Sequence, residues 1–176
     1  DDIARELGIS KKTIYKHFAD KKDLVNQIFE GTINKEREAC DSCYNSGENA
    51  IRKMIDLSKM ISSGHKEMNA SVLFDLRKYY PSLWRKFEEF RTGFIATSIK
   101  QNIEEGQTKN LYRDNINSDI VAGFYITLIQ GMMKMLSDTK TNYDFQTLHR
   151  NMVYYHLYGI CSPVGLEYLE QHINEI

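Results

Sequence analysis

The chain has 176 residues, 41% of them apolar and 27% charged, with a formal net charge of −1. That length suits one large or two small globular domains, and so small a charge gives no overall field to draw it to nucleic acid or membrane. No apolar run approaches the roughly 20 residues of a spanning helix, and three cysteines, an odd number, predict a reducing cytoplasm over a disulfide framework.

Only two prolines occur, Pro81 and Pro163, and apolar residues recur at helical spacing nearly throughout, so the expected fold is all-α. Ile3, Ala4 and Leu7 predict a short helix closed by Gly8, and Ile14 with Phe18 a second. Leu24, Ile28 and Phe29 begin a longer helix, for which the spacing sets no end before Ser46-Gly47. Ile51, Met54, Ile55, Ser58 and Ile61 form a stripe that stops at Gly64, and Val72, Leu73, Leu76, Tyr79 and Tyr80 form another. Pro81 fits the first turn of a long helix, where its missing N–H costs nothing. Leu83, Phe87, Phe90 and Phe94 line that helix, and Gly106 is its expected end. Ile120, Phe124, Leu128 and Met132 predict a helix over about 117–137, and Phe145, Leu148, Met152 and Tyr155 one over about 144–160. Ser162 and Pro163 supply a cap and a first position for a last helix bearing Leu166, Leu169 and Ile173.

The first two helices, joined by Gly8-Ile9-Ser10, have helix-turn-helix spacing, with Ser10 able to cap the second. Ile3, Ala4, Leu7, Ile9, Ile14 and Phe18 can then face inward. The opposite face displays Lys11, Lys12, Thr13, Tyr15, Lys16 and His17, donors and a planar ring suited to phosphates and base edges. Between residues 11 and 22 five lysines stand against one acid, Asp20, so the patch carries +4 in a chain of net −1. A merely solvated charged face is the alternative reading of the same residues.

The stretch "DDIARELGISKKTIYKHFADKKDLV" resembles the DNA-binding segment of the TetR family of transcriptional repressors. Ile3, Ala4, Gly8, Ile9, Ser10, Thr13, Ile14, Tyr15, Phe18, Lys21 and Leu24 match its pattern. The resemblance covers about a seventh of the chain and implies an N-terminal helix-turn-helix module with its connecting helix, residues 1–44. A larger helical effector-binding and dimerisation domain, 45–176, follows. By position, Lys11, Lys12, Tyr15 and Lys16 would face bases, while Thr13, His17 and Lys21 would meet phosphates, with Ser10 capping the reading helix. The family usually has Gly where Lys12 stands. Its first helix has no counterpart here, so the module reads as incomplete and upstream residues are expected.

The implied function is that of a cytoplasmic, ligand-responsive regulator, a repressor, which binds a palindromic double-stranded DNA operator as a homodimer and is released by a small-molecule effector. No cofactor, membrane partner or catalytic role is implied. Trp84, Phe87, Phe90 and Phe94, with Met54, Met60, Met68 and Phe74, are candidate walls of an apolar effector pocket, and equally plain core residues. Tyr125, His149 and His156 are candidate buried polar groups. Gly123, Thr127 and Gly131 place small side chains on one helix face, which with Phe124, Leu128, Met152 and Tyr155 suits a four-helix dimer interface or a close neighbour within the subunit. Cys40 and Cys43 have CxxC spacing, which leaves open a small helical enzyme or binding protein with a redox or metal role there. No phosphate loop, nucleophile elbow or metal motif accompanies them.

Overall fold

The computed structural model describes residues 2–64, 70–137 and 142–176, and among these it contains ten α-helices and no strand. They are α1 (Asp2–Glu6), α2 (Lys11–Ile14), α3 (Lys21–Tyr44), α4 (Ala50–Gly64), α5 (Ala70–Tyr79), α6 (Pro81–Phe90), α7 (Ala96–Thr108), α8 (Ser118–Ser137), α9 (Phe145–Ile160) and α10 (Pro163–His172). The all-α expectation holds. Met68 and the side chains of Val72 and Leu73 lie outside the described residues.

The helices group into two units, Asp1–Lys35 and Glu36–Ile176. The boundary falls inside α3, earlier than the division at 44/45 expected from the sequence. Packing explains the difference. The last turns of α3 bury Ala39 and Cys43, and Cys43 Sγ lies 3.7 Å from Met60 Sδ on α4, so this end of α3 belongs to the larger unit.

In that unit α4, α7, α9 and α10 contribute Ile51, Ile55, Ile103, Val153, Leu157 and Leu169, all with essentially no exposed surface. Each such burial is worth roughly 1.5–3 kcal/mol. The exposed ion pairs, such as Lys100 with Asp119 at 2.7 Å, contribute about 0–1 kcal/mol each, so the apolar cluster holds the unit together. Helix α8 is long and apolar enough to cross a membrane by length and composition alone, contrary to the expectation from apolar runs. Here it packs between α7 and α9 and places Ala122, Tyr125, Ile126, Ile129 and Met132 in the core.

The helix expected from Pro81 to Gly106 differs in two ways. Residues Arg91–Ile95 wind as a π-helix between α6 and α7, a local widening that cannot be read from apolar spacing. Gly106 does not end the helix, since α7 continues to Thr108. It is there because the Tyr112 ring lies where a Cβ would stand. The Tyr112 hydroxyl donates to Asn102 Oδ1 at 3.0 Å, and Asn102 Nδ2 donates to the Ala50 carbonyl at 2.9 Å. This ties the loop after α7 to α4. Ser162 caps α10 by accepting from the Gly165 N–H, as its sequence predicts, and Asp144 does the same for α9.

Candidate nucleic-acid interface and effector cavity

The smaller unit is built by local hydrogen bonds. Helix α1 ends in a Schellman motif: the Ile9 N–H donates to Ala4 O, the Gly8 N–H to Arg5 O, and Gly8 takes φ +62°, a left-handed conformation that only glycine adopts cheaply. Two residues on, Ser10 is extended and its hydroxyl accepts from the Thr13 N–H at 3.0 Å. The Ser10 and Thr13 hydroxyls lie 2.8 Å apart. Helix α2 is only four residues long, and tight turns carry the chain on to Phe18. Asp20 then caps α3 by accepting from the Asp23 N–H, and Asp23 accepts in return from the Ala19 N–H. That bond from Ala19, with a second from Gln27, holds the Asp23 carboxyl below its usual range.

This scaffold leaves Ser10, Lys11, Lys12, Tyr15, Lys16, His17 and Lys21 exposed and Thr13 half-buried. Lys21 and Lys22 occupy the first turn of α3, where the free N–H groups and the helix dipole also favour an anion. The expected inward face is only partly realised. Ala4 is buried and Ile14 and Phe18 are half-buried, but Ile3, Leu7 and Ile9 are exposed, because nothing among the described residues covers that side of α1 and its turn.

In the larger unit a cavity of about 60 Å³ lies among the end of α3, α4, the α6–α7 segment, α8 and α9. Its wall is mainly apolar, with Phe87, Phe90, Ile129, Met132 and Met152, and carries Arg91, Tyr125 and His149 as polar members. Of the sequence candidates, Phe87 and Phe90 line it. The others do not. Trp84, set edge-on to Phe87 at 5.9 Å, lines an open groove beside the cavity, together with the exposed Phe74. Met54 and Phe94 border a separate cleft under the end of α3, and Met60 is exposed. Helical spacing alone could not separate these, because Phe87, Phe90 and Phe94 share one apolar stripe yet divide between the cavity and the cleft.

Arg91 was not among the sequence candidates. Its spacing offers a signal, since Phe87, Arg91 and Ile95 follow one another at four-residue intervals on the cavity side. Of the two histidines seven apart, His149 stacks on Phe145 at 5.5 Å and faces the cavity. His156 packs edge-on to Tyr125 at 4.7 Å, and burial pushes its pKa down to about 4.

The thiols are poorly placed for redox or metal chemistry. Burial, then the nearby Glu36 carboxylate, pushes Cys40 up to about 12, and burial also raises Cys43. Thiols kept protonated are weak nucleophiles and ligands. Among the described residues no group of three His, Cys, Asp or Glu side chains could hold a metal ion.

Helices α8 and α9 each present an exposed stripe. On α8 it holds Ile120, Gly123, Phe124, Thr127, Gly131 and Met135, and on α9 Asn151, Tyr155, Tyr158 and Gly159. Phe124 is 63% exposed and Tyr155 73%. A Cβ built at Gly123 or Gly131 meets no atom within 4 Å, so these glycines do not serve a close neighbour within the subunit among the described residues. Met152, expected on the same face, is buried and turned to the cavity instead, and Leu128 is half-buried.

Comparison with known proteins agrees with this organisation. Residues 1–28 match the family model of bacterial regulatory proteins, tetR family. The HTH-type transcriptional regulator YvaF of Bacillus subtilis (strain 168) is 28% identical over 127 residues, a match spanning 72% of this chain and 66% of that protein, just under two thirds of its length. The crystal structure of a transcriptional regulator from Cytophaga hutchinsonii ATCC 33406 superposes with a TM-score of 0.67 at 22% identity, covering 91% of this chain and 86% of the other. A TetR transcriptional regulator from Chloroflexus aurantiacus J-10-fl gives 0.62 at 16% identity, covering 91% and 84%. At those identities the two structures establish a shared fold.

Proposed function

We propose that the chain, whose residues 1–28 match the tetR family model, is a ligand-responsive repressor of that family that binds a palindromic operator as a homodimer. The observation that carries this reading is the capped second helix of the smaller unit, with Lys11, Lys12, Tyr15 and Lys16 exposed together. Side chains of that kind give bidentate, planar and phosphate contacts when a helix enters the major groove. In this role Lys11, Lys12, Tyr15 and Lys16 read base edges. Thr13, His17 and Lys21 fix the register on the backbone, and Ser10 holds the start of the reading helix.

Homodimerisation uses the stripes of α8 and α9, whose large exposed apolar side chains and unfilled glycines suit packing against a second copy. A two-fold pair of reading helices spans about 34–36 Å, one turn of DNA, or a multiple of it. The effector occupies the cavity bounded by Phe87, Phe90 and Met152. It releases DNA to the extent that it binds the DNA-free state more tightly than the DNA-bound one.

The test is a gel shift with duplex DNA from upstream of the protein's own gene, repeated over a salt series and against random duplex. Specific retention that resists random competitor and weakens steeply with salt is expected. Equal retention of specific and random duplex overturns the operator reading.

A further inference from the structure

Arg91 is the most deeply buried charged residue described, with 2% of its surface exposed. Its Nη2 pairs with Glu88, and its guanidinium lies over the Phe87 ring, 4.9 Å from the centroid. Nε and Nη1 are buried and have no hydrogen-bond partner among the described residues. Buried donors are normally satisfied, and those of a charged group are the most costly to leave unmade. Arg91 also opens the π-helical segment, and such local widenings of a helix occur often at functional sites.

Arg91 stands between two spaces. On one side is the apolar cavity. On the other is the open groove, where Arg77, Lys134 and Trp84 surround it, with Glu88 the one acid among the described lining residues. Among the described lining residues three cations stand against one carboxylate, a balance that raises the local concentration of anions. The cavity itself is small, about 60 Å³, against the roughly 150 Å³ of an engineered apolar cavity that admits benzene. Three of its lining residues are Met132, Met133 and Met152, unbranched side chains that repack readily around a guest.

We propose that the effector is a small amphipathic carboxylate, its carboxylate received by Arg91 and its hydrocarbon part by the methionine and phenylalanine wall. This rests on the effector cavity proposed above and names the ligand class for it. A carboxylate supplies acceptors for donors that the described residues leave unmet, and the charge-assisted bonds so formed are stronger than neutral ones. Glu36 also lines the cavity, so an amphipathic cation is the competing class that the experiment must separate.

The experiment is calorimetric titration of the full chain with a series from butyrate to octanoate, with 1-hexanol and hexyltrimethylammonium as neutral and cationic counterparts of hexanoate. Hexanoate is expected to bind at least tenfold more tightly than hexanol and than the ammonium. Arg91→Met should reduce hexanoate affinity at least tenfold and change hexanol affinity less than twofold, with Arg91→Lys in between. Equal affinity for acid and alcohol, preference for the ammonium, or unchanged hexanoate affinity in Arg91→Met overturns the proposal. Circular dichroism establishes that each variant is folded. If neither is, the three-ligand comparison on the unmodified chain decides alone. The operator gel shift separates the two readings: operator binding without hexanoate binding refutes the ligand class only, and hexanoate binding without operator binding refutes the repressor only.

Discussion

Replacing Phe124 with Ala tests where the subunits meet. Phe124 is 63% exposed on α8, and a phenylalanine side chain carries roughly 200 Å², so a partner helix that covers it removes about 130 Å² from water. At about 25 cal/mol per Å² this is about 3 kcal/mol in each subunit, of which the Cβ retained in alanine keeps a minor part. A two-fold interface contains the residue twice, so the dimer should lose about 5 kcal/mol, which raises its dissociation constant by about 10³–10⁴. Sedimentation equilibrium over a wide concentration range reads this directly. The isolated fold should hardly change, because the side chain makes little contact in its own subunit, and exposed substitutions typically stay within about 0.5 kcal/mol. Gly131→Leu adds a bulky group to the same open face and should weaken association as well. A dimer whose dissociation constant is unchanged by either substitution would falsify the placement of the interface on α8.

Other outcomes follow from the smaller unit and from the buried histidine. Lys21→Ala should weaken binding to operator and to random duplex alike, because phosphates carry no sequence, whereas Tyr15→Ala or Lys11→Ala should cost roughly 1–3 kcal/mol more on operator than on random duplex; equal losses in both classes of variant contradict the assigned roles. Gly8→Ala forces a Cβ into a φ of +62°, at a cost of about 1–2 kcal/mol, and amide exchange at Gly8 and Ile9, which donate to Arg5 and Ala4, should quicken about 5- to 30-fold. Exchange that stays as slow as before rules out the left-handed turn. His156 titrates near 6.5 when unfolded but is pushed by burial to about 4 in the fold, so its neutral form stabilises the protein fully above pH 6.5. The unfolded chain takes up the proton first as pH falls from 6.5 towards 4, and stability is lost across that window. Between pH 7.5 and 4.5 the unmodified chain should lose about 2–3 kcal/mol more in urea unfolding than His156→Phe; matching losses in the two proteins show that His156 is not buried in its neutral form.

The chain by itself determines its local punctuation and its capped basic helix α2. Gly8, Ser10, Asp20, Asp144 and Ser162 act through hydrogen bonds that close within three to five residues, so the elements they bound are legible in one short window of sequence. The same holds for the exposed lysines and Tyr15, because a four-residue helix flanked by tight turns has no room to bury them. The cavity is different. Phe87, Tyr125, Met132, His149 and Met152 are separated by up to 65 positions and meet only because α6, α8 and α9 pack together. Apolar spacing marks each as facing inward without saying what it faces, so neither Trp84 nor Met152 stands where spacing alone suggests: Trp84 lines the open groove and Met152 the cavity. The π-helical turn at Arg91 and the close approach of Tyr112 to Gly106 are likewise tertiary. One is a departure from the regular hydrogen-bond pattern and the other a contact between helix and loop, and neither leaves a period in the sequence. Local bonding wrote the helix-turn-helix module into the chain, whereas the packing of distant helices decided which buried residues line the cavity.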